Sequence, residues 1–187
     1  HGASSGKDIQ MGWKDRTDVL HSATFADSIF RGNRIYTAMV LHGISMGAAT
    51  VMCVSGEHTP PFIRCFVEDC GYTSVWDEFK TQLREQFSLP PFPLLYTTSA
   101  LCKLRYGWTF GEASPLKQLA KSRKPMLFIH GDADTYVPFR MVYELYNAKP
   151  APKELWVARG SKHADSYQDH RAAYTSHVKN FLDRYMP

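Results

Sequence analysis

The sequence predicts an α/β fold: a mostly parallel sheet with helices packed on its faces. Three observations predict it. Four short, largely apolar runs recur along the chain, each carrying Val, Ile, Phe or Trp, as parallel strands covered on both faces do. Segments with helical spacing or helix-start signals lie between them. Gly43-Ile44-Ser45-Met46-Gly47 joins the end of the first apolar run to a small, apolar segment after it. Strand and helix alternate, which implies right-handed crossovers between parallel strands.

The elements follow in chain order. Gly12–Phe30 carries Trp13, Leu20, Ala23 and Ile29 at roughly helical spacing and predicts a first helix. Arg34–Leu41, "RIYTAMVL", reads as the first strand, and Met46–Val54 as a buried helix of small apolar residues. Phe62–Asp69 is the second strand. Ser74 then opens "SVWDEFKTQLREQF", with Asp77 three residues on, the spacing of a capping box. Ser114 followed by Pro115 marks another helix start, "SPLKQLAK". Pro125–Gly131 and Lys153–Arg159 are the third and fourth strands, each followed by a helical pattern, "PFRMVYELYNA" and "SYQDHRAAYTSHVKNFLDRY". No internal repeat or low-complexity tract interrupts this. The reading is one domain over 1–187, with a small cap-like insertion over about 75–113.

Composition narrows the function. The chain has 187 residues, 44% hydrophobic and 21% charged, enough for one domain with its own core. The net charge of +4 comes from scattered Lys and Arg, so nucleic-acid binding has little support. No apolar run approaches the ~20 residues of a membrane span. Cys53, Cys65, Cys70 and Cys102 form no C-x-x-C pair, which argues against a zinc site. They read as buried free thiols in a reducing, cytoplasmic setting. No cofactor is expected.

Ser45 carries the chemistry. G-x-S-x-G between a strand and a helix is the context of a nucleophile elbow, a tight turn that needs small residues around the serine. Gly43 and Gly47, with Ala48, are expected to let strand and helix approach closely. The Met46 amide, at the helix N-terminus, is the expected oxyanion donor, helped by the helix dipole. A serine needs a base, and the base needs an orienting acid. In this architecture the chain order is Ser, acid, His. Asp134 lies just past the third strand in "HGDADTYVP", and His163 past the fourth in "GSKHADSY". Both loops leave carboxyl ends of strands, where the sites of open α/β sheets gather.

Rivals exist for both partners. Asp69, at the end of the second strand, is the serious alternative acid, and Asp132 reads as a brace for its loop. Asp132 and Asp134 lack the further oxygen ligands of a calcium loop, and no metal is expected. His42 and His130 sit at strand ends beside glycines, where packing or hydrogen bonding explains them. His21, His170 and His177 fall in helical patterns and read as surface residues. In the insertion, rich in Phe, Leu, Tyr and Pro, Tyr106 and Trp108 are candidate pocket walls, and Tyr72 is a third. The expected partner is a small-molecule acyl substrate.

These pieces carry a resemblance. "HGASSGKDIQMGWKDRTDV", "LHGISMGAATV", "EDCGYTS", "IHGDADTYVP", "ELYNA" and "SKHADSY" resemble, in order, segments of the α/β-hydrolase superfamily, in particular its bud-emergence-like branch of serine hydrolases. That branch includes esterases, acylglycerol and thioester hydrolases, and peptidases. The resemblance implies Ser45, Asp134 and His163 as a triad working through an acyl-enzyme. It also implies a roughly eight-stranded sheet, four strands of which precede the elbow strand. Here the elbow strand is the first, and His1-Gly2 resembles a loop one strand later than the one that carries the family's second oxyanion amide. The expectation is therefore a chain lacking its N-terminal strands, on the order of 100 residues of an α/β domain. Tyr36–Leu41 would then form an exposed sheet edge.

Overall fold

The computed structural model describes Gly6 and residues 8–186; the His1–Ser5 part of the N-terminal resemblance, with Lys7 and Pro187, lies outside the described residues. The four predicted strands are present as β1 (Met39–Ile44), β2 (Ile63–Asp69), β3 (Met126–Gly131) and β4 (Lys153–Ala158). They form one sheet in the order β1-β2-β3-β4, and every pair is parallel. β2 and β3 are almost wholly buried, which explains why they read as continuous apolar runs rather than alternating ones.

Eight helices connect and cover the sheet among the described residues. α1 (Asp15–Gly32) and α2 (Met46–Ser55) precede β2; α3 (Val75–Phe87), α4 (Leu94–Tyr106) and α5 (Pro115–Leu119) lie between β2 and β3. α6 (Arg140–Ala148) precedes β4, and α7 (Ser166–Asp169) and α8 (Arg171–Tyr185) follow it. One sheet face packs Phe66 and Phe128 with Met52 and Val54 of α2 and Leu145 of α6. The other face packs Cys65, Val67, Leu127 and Ile129 with Tyr174 and Phe181 of α8.

The start signals hold at the atomic level. The Ser74 hydroxyl oxygen accepts from the Asp77 amide at 3.0 Å and its O–H donates to the Asp77 carboxylate at 2.6 Å. Ser114 caps α5 with Pro115 in its first turn, as the sequence predicts.

Three elements depart from the sequence reading. β1 begins at Met39, not Arg34, because Arg34 adopts a left-handed conformation, φ 61°, that ends the turn after α1. The cap-like insertion holds a second helix, α4, beyond the α3 that the sequence predicts. The last helical pattern is broken at His170, whose backbone (φ −132°, ψ 44°) is not helical, so α7 and α8 are separate.

β1 stands at the edge of the sheet, as expected. No strand pairs with its outer side among the described residues, and Ile35, Tyr36 and Ile44 around it are exposed. α1 exposes Phe25, Ile29 and Phe30. All four cysteines are buried free thiols. No described helix is long and apolar enough to cross a membrane.

Candidate active site

Ser45 occupies the turn between β1 and α2. Its backbone is strained, at φ 55° and ψ −116°, a region that non-glycine residues enter only when their surroundings impose it. Two backbone bonds impose it here. The Ser45 amide donates to the Asp69 carbonyl at 2.8 Å, and the Ser45 carbonyl accepts from the Ala49 amide at 3.0 Å. Gly43 makes the turn possible. A Cβ there would sit 2.1 Å from the Gly47 carbonyl oxygen and 2.7 Å from the Ala48 nitrogen. Gly47 differs from the sequence reading: a Cβ there would meet open space, so it does not mediate the close approach.

The loops after β3 and β4 bring the other two residues to the serine. Ser45 Oγ lies 2.8 Å from His163 Nε2, and His163 Nδ1 lies 2.8 Å from Asp134 Oδ2. The tautomer that satisfies both carries its proton on Nδ1, so that N–H donates to the carboxylate and the Ser45 hydroxyl donates to Nε2. Asp134 is itself held by the backbone, its Oδ1 accepting from the Tyr136 and Val137 amides at 2.9 Å each.

The electrostatics follow from burial and partners. Burial pushes the Asp134 carboxyl up, but hydrogen bonds and charge from His130 and His163 outweigh it and hold the group at about 2. Burial pulls the His163 imidazole down, and the Asp134 hydrogen bond and charge, with smaller help from Glu78 and Asp69, bring it out above its ordinary value. An orienting acid that stays ionised beside a base able to become a cation is the arrangement general-base chemistry needs.

The remaining residues singled out in the sequence separate cleanly. Asp69 is buried and accepts from the Ser166 hydroxyl at 3.3 Å, not from His163. Asp132 braces its loop by accepting from the Gly160 amide at 2.6 Å. Met46 begins α2, so its amide is among the first-turn donors that no helical carbonyl satisfies. A cleft of about 830 Å³ between α1, β1 and α2 includes Met46 and Gly47 in its lining.

Tyr72 and Trp108 are only 2% and 4% exposed. The Tyr72 hydroxyl donates to the Met11 carbonyl at 3.0 Å, and the Trp108 indole N–H donates to Gln10 Oε1 at 2.8 Å. The Tyr106 hydroxyl donates to Asp8 Oδ1 at 3.1 Å. All three tie the insertion and β2 loop to the segment before α1, and Tyr72 and Trp108 offer no open wall. A groove of about 650 Å³ in the insertion, lined by Lys80, Arg84 and Glu85 of α3 and by Ser88 to Pro91 after it, includes neither Ser45 nor His163.

Three residues border the Ser45–His163–Asp134 line; the sequence reading expects His130 to be packed or hydrogen-bonded, but gives no sign that Tyr136 or Cys70 lies beside the site. His130 Nε2 lies 3.0 Å from the Val137 carbonyl and 3.3 Å from Asp134 Oδ2, bracing the acid from β3. The Tyr136 ring lies over the His163 ring at 4.8 Å. Cys70, left-handed at φ 52°, places its sulfur within 4.8 Å of ligand-type atoms of Asp134 and His163. Burial pushes its thiol up, and the hydrogen bond between Asp134 and His163 already accounts for their proximity.

Comparisons with known proteins bear on the family and the fold. The chain is 33% identical to the uncharacterized protein YqkD of Bacillus subtilis (strain 168) over 184 residues, 98% of this chain and 59% of that protein. It is 25% identical to YfhR of Escherichia coli O157:H7, covering 97% of this chain and 56% of that protein. The chain thus spans somewhat more than half the length of these curated relatives. Among solved structures, the Pyrococcus furiosus esterase Pf2001 superposes with a TM-score of 0.75 at 26% identity, covering 100% of this chain and 68% of the esterase. A Pyrococcus horikoshii acylaminoacyl peptidase superposes with a TM-score of 0.68 at 15% identity, over 95% of this chain and 28% of the peptidase, a likeness of fold alone. The fold is that of the α/β-hydrolases. Residues 10–187 match the prolyl oligopeptidase family, and the chain belongs to that family.

Proposed function

We propose that the protein is a serine hydrolase that cleaves a carboxylic ester or thioester of a small or medium acyl group. The observation that carries this reading is the continuous hydrogen-bonded line Ser45–His163–Asp134, with both links at 2.8 Å.

In the proposed mechanism Ser45 Oγ attacks the acyl carbon while its proton passes to His163 Nε2. The resulting imidazolium is stabilised by Asp134, and the oxyanion receives the Met46 amide. His163 then gives its proton to the leaving oxygen or sulfur, and the acyl–oxygen bond to Ser45 remains. Water repeats the sequence: His163 takes its proton, the hydroxide adds to the acyl carbon, and Ser45 leaves with the proton returned. Strain at Ser45 keeps the nucleophile presented, and the line of hydrogen bonds keeps the base in the working tautomer.

Similarity to an esterase at 26% identity favours ester cleavage. A second reading, peptide or amide hydrolysis on the same scaffold, is favoured by membership of the prolyl oligopeptidase family. A non-catalytic binding role has less support, since such a protein needs neither the strained serine nor the aligned base. The test compares p-nitrophenyl butyrate with butyryl p-nitroanilide. The ester reading expects the ester to be turned over and the anilide left essentially intact. Comparable kcat/KM on both would move the assignment to the amidase reading, and turnover of neither would remove both.

A further inference from the structure

We propose that Glu78 and Gln82 of α3 are positioning residues for His163, coupling the α3–α4 insertion to the base. This rests on the triad reading above. Glu78 is 4% exposed, yet only one of its carboxyl oxygens is satisfied: Oε1 accepts from Gln82 Nε2 at 2.9 Å, and Oε2 has no partner. The same Gln82 amide donates to the Tyr136 carbonyl at 2.7 Å. A carboxyl and a carbonyl can both accept, which fixes the amide's orientation. The Tyr136 amide in turn donates to Asp134, and the Tyr136 ring lies over His163. One side-chain amide therefore joins α3 to the loop that holds the acid and covers the base.

A buried carboxyl with a free oxygen is costly, and packing alone would favour an apolar residue there. The groups facing Glu78 are Gln82 on α3, His163 after β4, Asp134 after β3 and the Tyr72 phenol after β2. His163 is faced by Asp134, Glu78, Asp69 and the Cys70 thiol after β2, and His130 faces Asp134 from β3. Burial drives the Glu78 carboxyl up, and the Gln82 hydrogen bond and the His163 charge only partly oppose it, leaving it at about 7. Its charge thus changes in the range where an imidazole base works, and its ionised form favours the His163 cation. Removing that charge lowers the pH at which His163 loses its proton.

The test uses Glu78→Gln, which keeps the size and the acceptor for Gln82, and Gln82→Ala. The His163 imidazole is followed by NMR titration, assigned through His163→Ala, so this readout needs no turnover. Alongside it, kcat and KM for p-nitrophenyl butyrate are measured per phosphonate-reactive serine. Glu78→Gln is expected to move the His163 midpoint, and the acid limb of kcat/KM, to lower pH. Gln82→Ala is expected to lose roughly 10-fold in kcat with little change in KM, a part of the ~10²–10⁴ that a positioned base supplies. A His163 titration in Glu78→Gln that superimposes on the wild type overturns the proposal. Should Gln82→Ala fail to fold, the Glu78→Gln titration decides alone. A wild type that takes no phosphonate, but whose His163 midpoint still moves in Glu78→Gln, supports the coupling and removes the hydrolase reading.

Discussion

Asp134 and Asp69 illustrate how the site is decided one side chain at a time. Both are acidic, both end or follow a central strand, and both are nearly inaccessible to solvent. Only Asp134 has an oxygen 2.8 Å from His163 Nδ1, with two backbone amides fixing its other oxygen. Asp69 is pushed up to about 6 by burial, against hydrogen bonds from Tyr174 and Ser166. Asp134, held at about 2, keeps its charge across the whole range in which an imidazole base works, whereas Asp69 titrates at the acid end of that range. Asp134→Asn is therefore expected to lower kcat by about 10⁴-fold, since the amide favours the wrong imidazole tautomer. Asp69→Asn is expected to retain most of the rate. The reverse pattern in steady-state kinetics would reassign the acid. Ser45, Asp134 and His163 are legible as candidates because chemistry limits the residue types and the fold limits their chain order. Tyr72, Tyr106 and Trp108 are not, because an aromatic in an apolar stretch reads the same whether it lines a pocket or ties two segments together. Here their polar atoms reach Met11, Asp8 and Gln10, contacts at long sequence separation that no local pattern encodes.

At the scale of elements, legibility tracks how local the cause is. β2, β3 and β4 match their apolar runs within a residue; for β2 and β3 the reason is that burial on both faces writes itself directly into composition, while β4 is a half-buried edge strand. β1 slipped because Ile35 and Tyr36 look like strand residues but lie exposed after the left-handed Arg34. α4 is hidden within the cap-like insertion over about 75–113 because its buried positions, Leu95, Ser99 and Cys102, make a narrow stripe while Leu94, Leu101 and Leu104 face outward. α3 was the opposite case, announced by Ser74 and Asp77. Ser74→Ala should remove the cap and cost about 1 kcal/mol of stability. Because Ser74 also follows the β2 loop, the loss should appear in the denaturant midpoint at unchanged slope. A midpoint equal to that of the wild type would mean the cap contributes nothing net.

The whole molecule carries several buried acids, and they set its response to pH. Glu68 is fully buried; one oxygen accepts from the Gly71 amide at 3.0 Å, and the other has no partner. Burial pushes its carboxyl well above the ordinary range, and burial likewise raises Asp69 to about 6 and Glu78 to about 7. In the unfolded chain such groups titrate near ~4. Between those values the folded state binds more protons than the unfolded state, so stability falls as pH rises through that window. Asp134 works oppositely: held at about 2, its contribution is present above its unfolded value and lost as pH falls below it. Thermal melts should therefore decline from mildly acidic to neutral pH, and Glu68→Gln should flatten that decline. An identical slope in Glu68→Gln would remove Glu68 from the explanation.

The exposed edge of β1 and the exposed apolar residues of α1 are also properties of the molecule as a whole. An unpaired, apolar edge invites association. They leave the Ser45–His163–Asp134 line intact, because those residues come from the carboxyl ends of β1, β3 and β4 within one continuous sheet. The proposed hydrolysis requires that this line activate Ser45. The most direct measurement is the intact mass of the protein before and after exposure to a fluorophosphonate. A single adduct is expected on the wild type, absent from Ser45→Ala and strongly slowed in His163→Ala. Wild-type protein that takes no adduct, or an adduct that persists in Ser45→Ala, would contradict it.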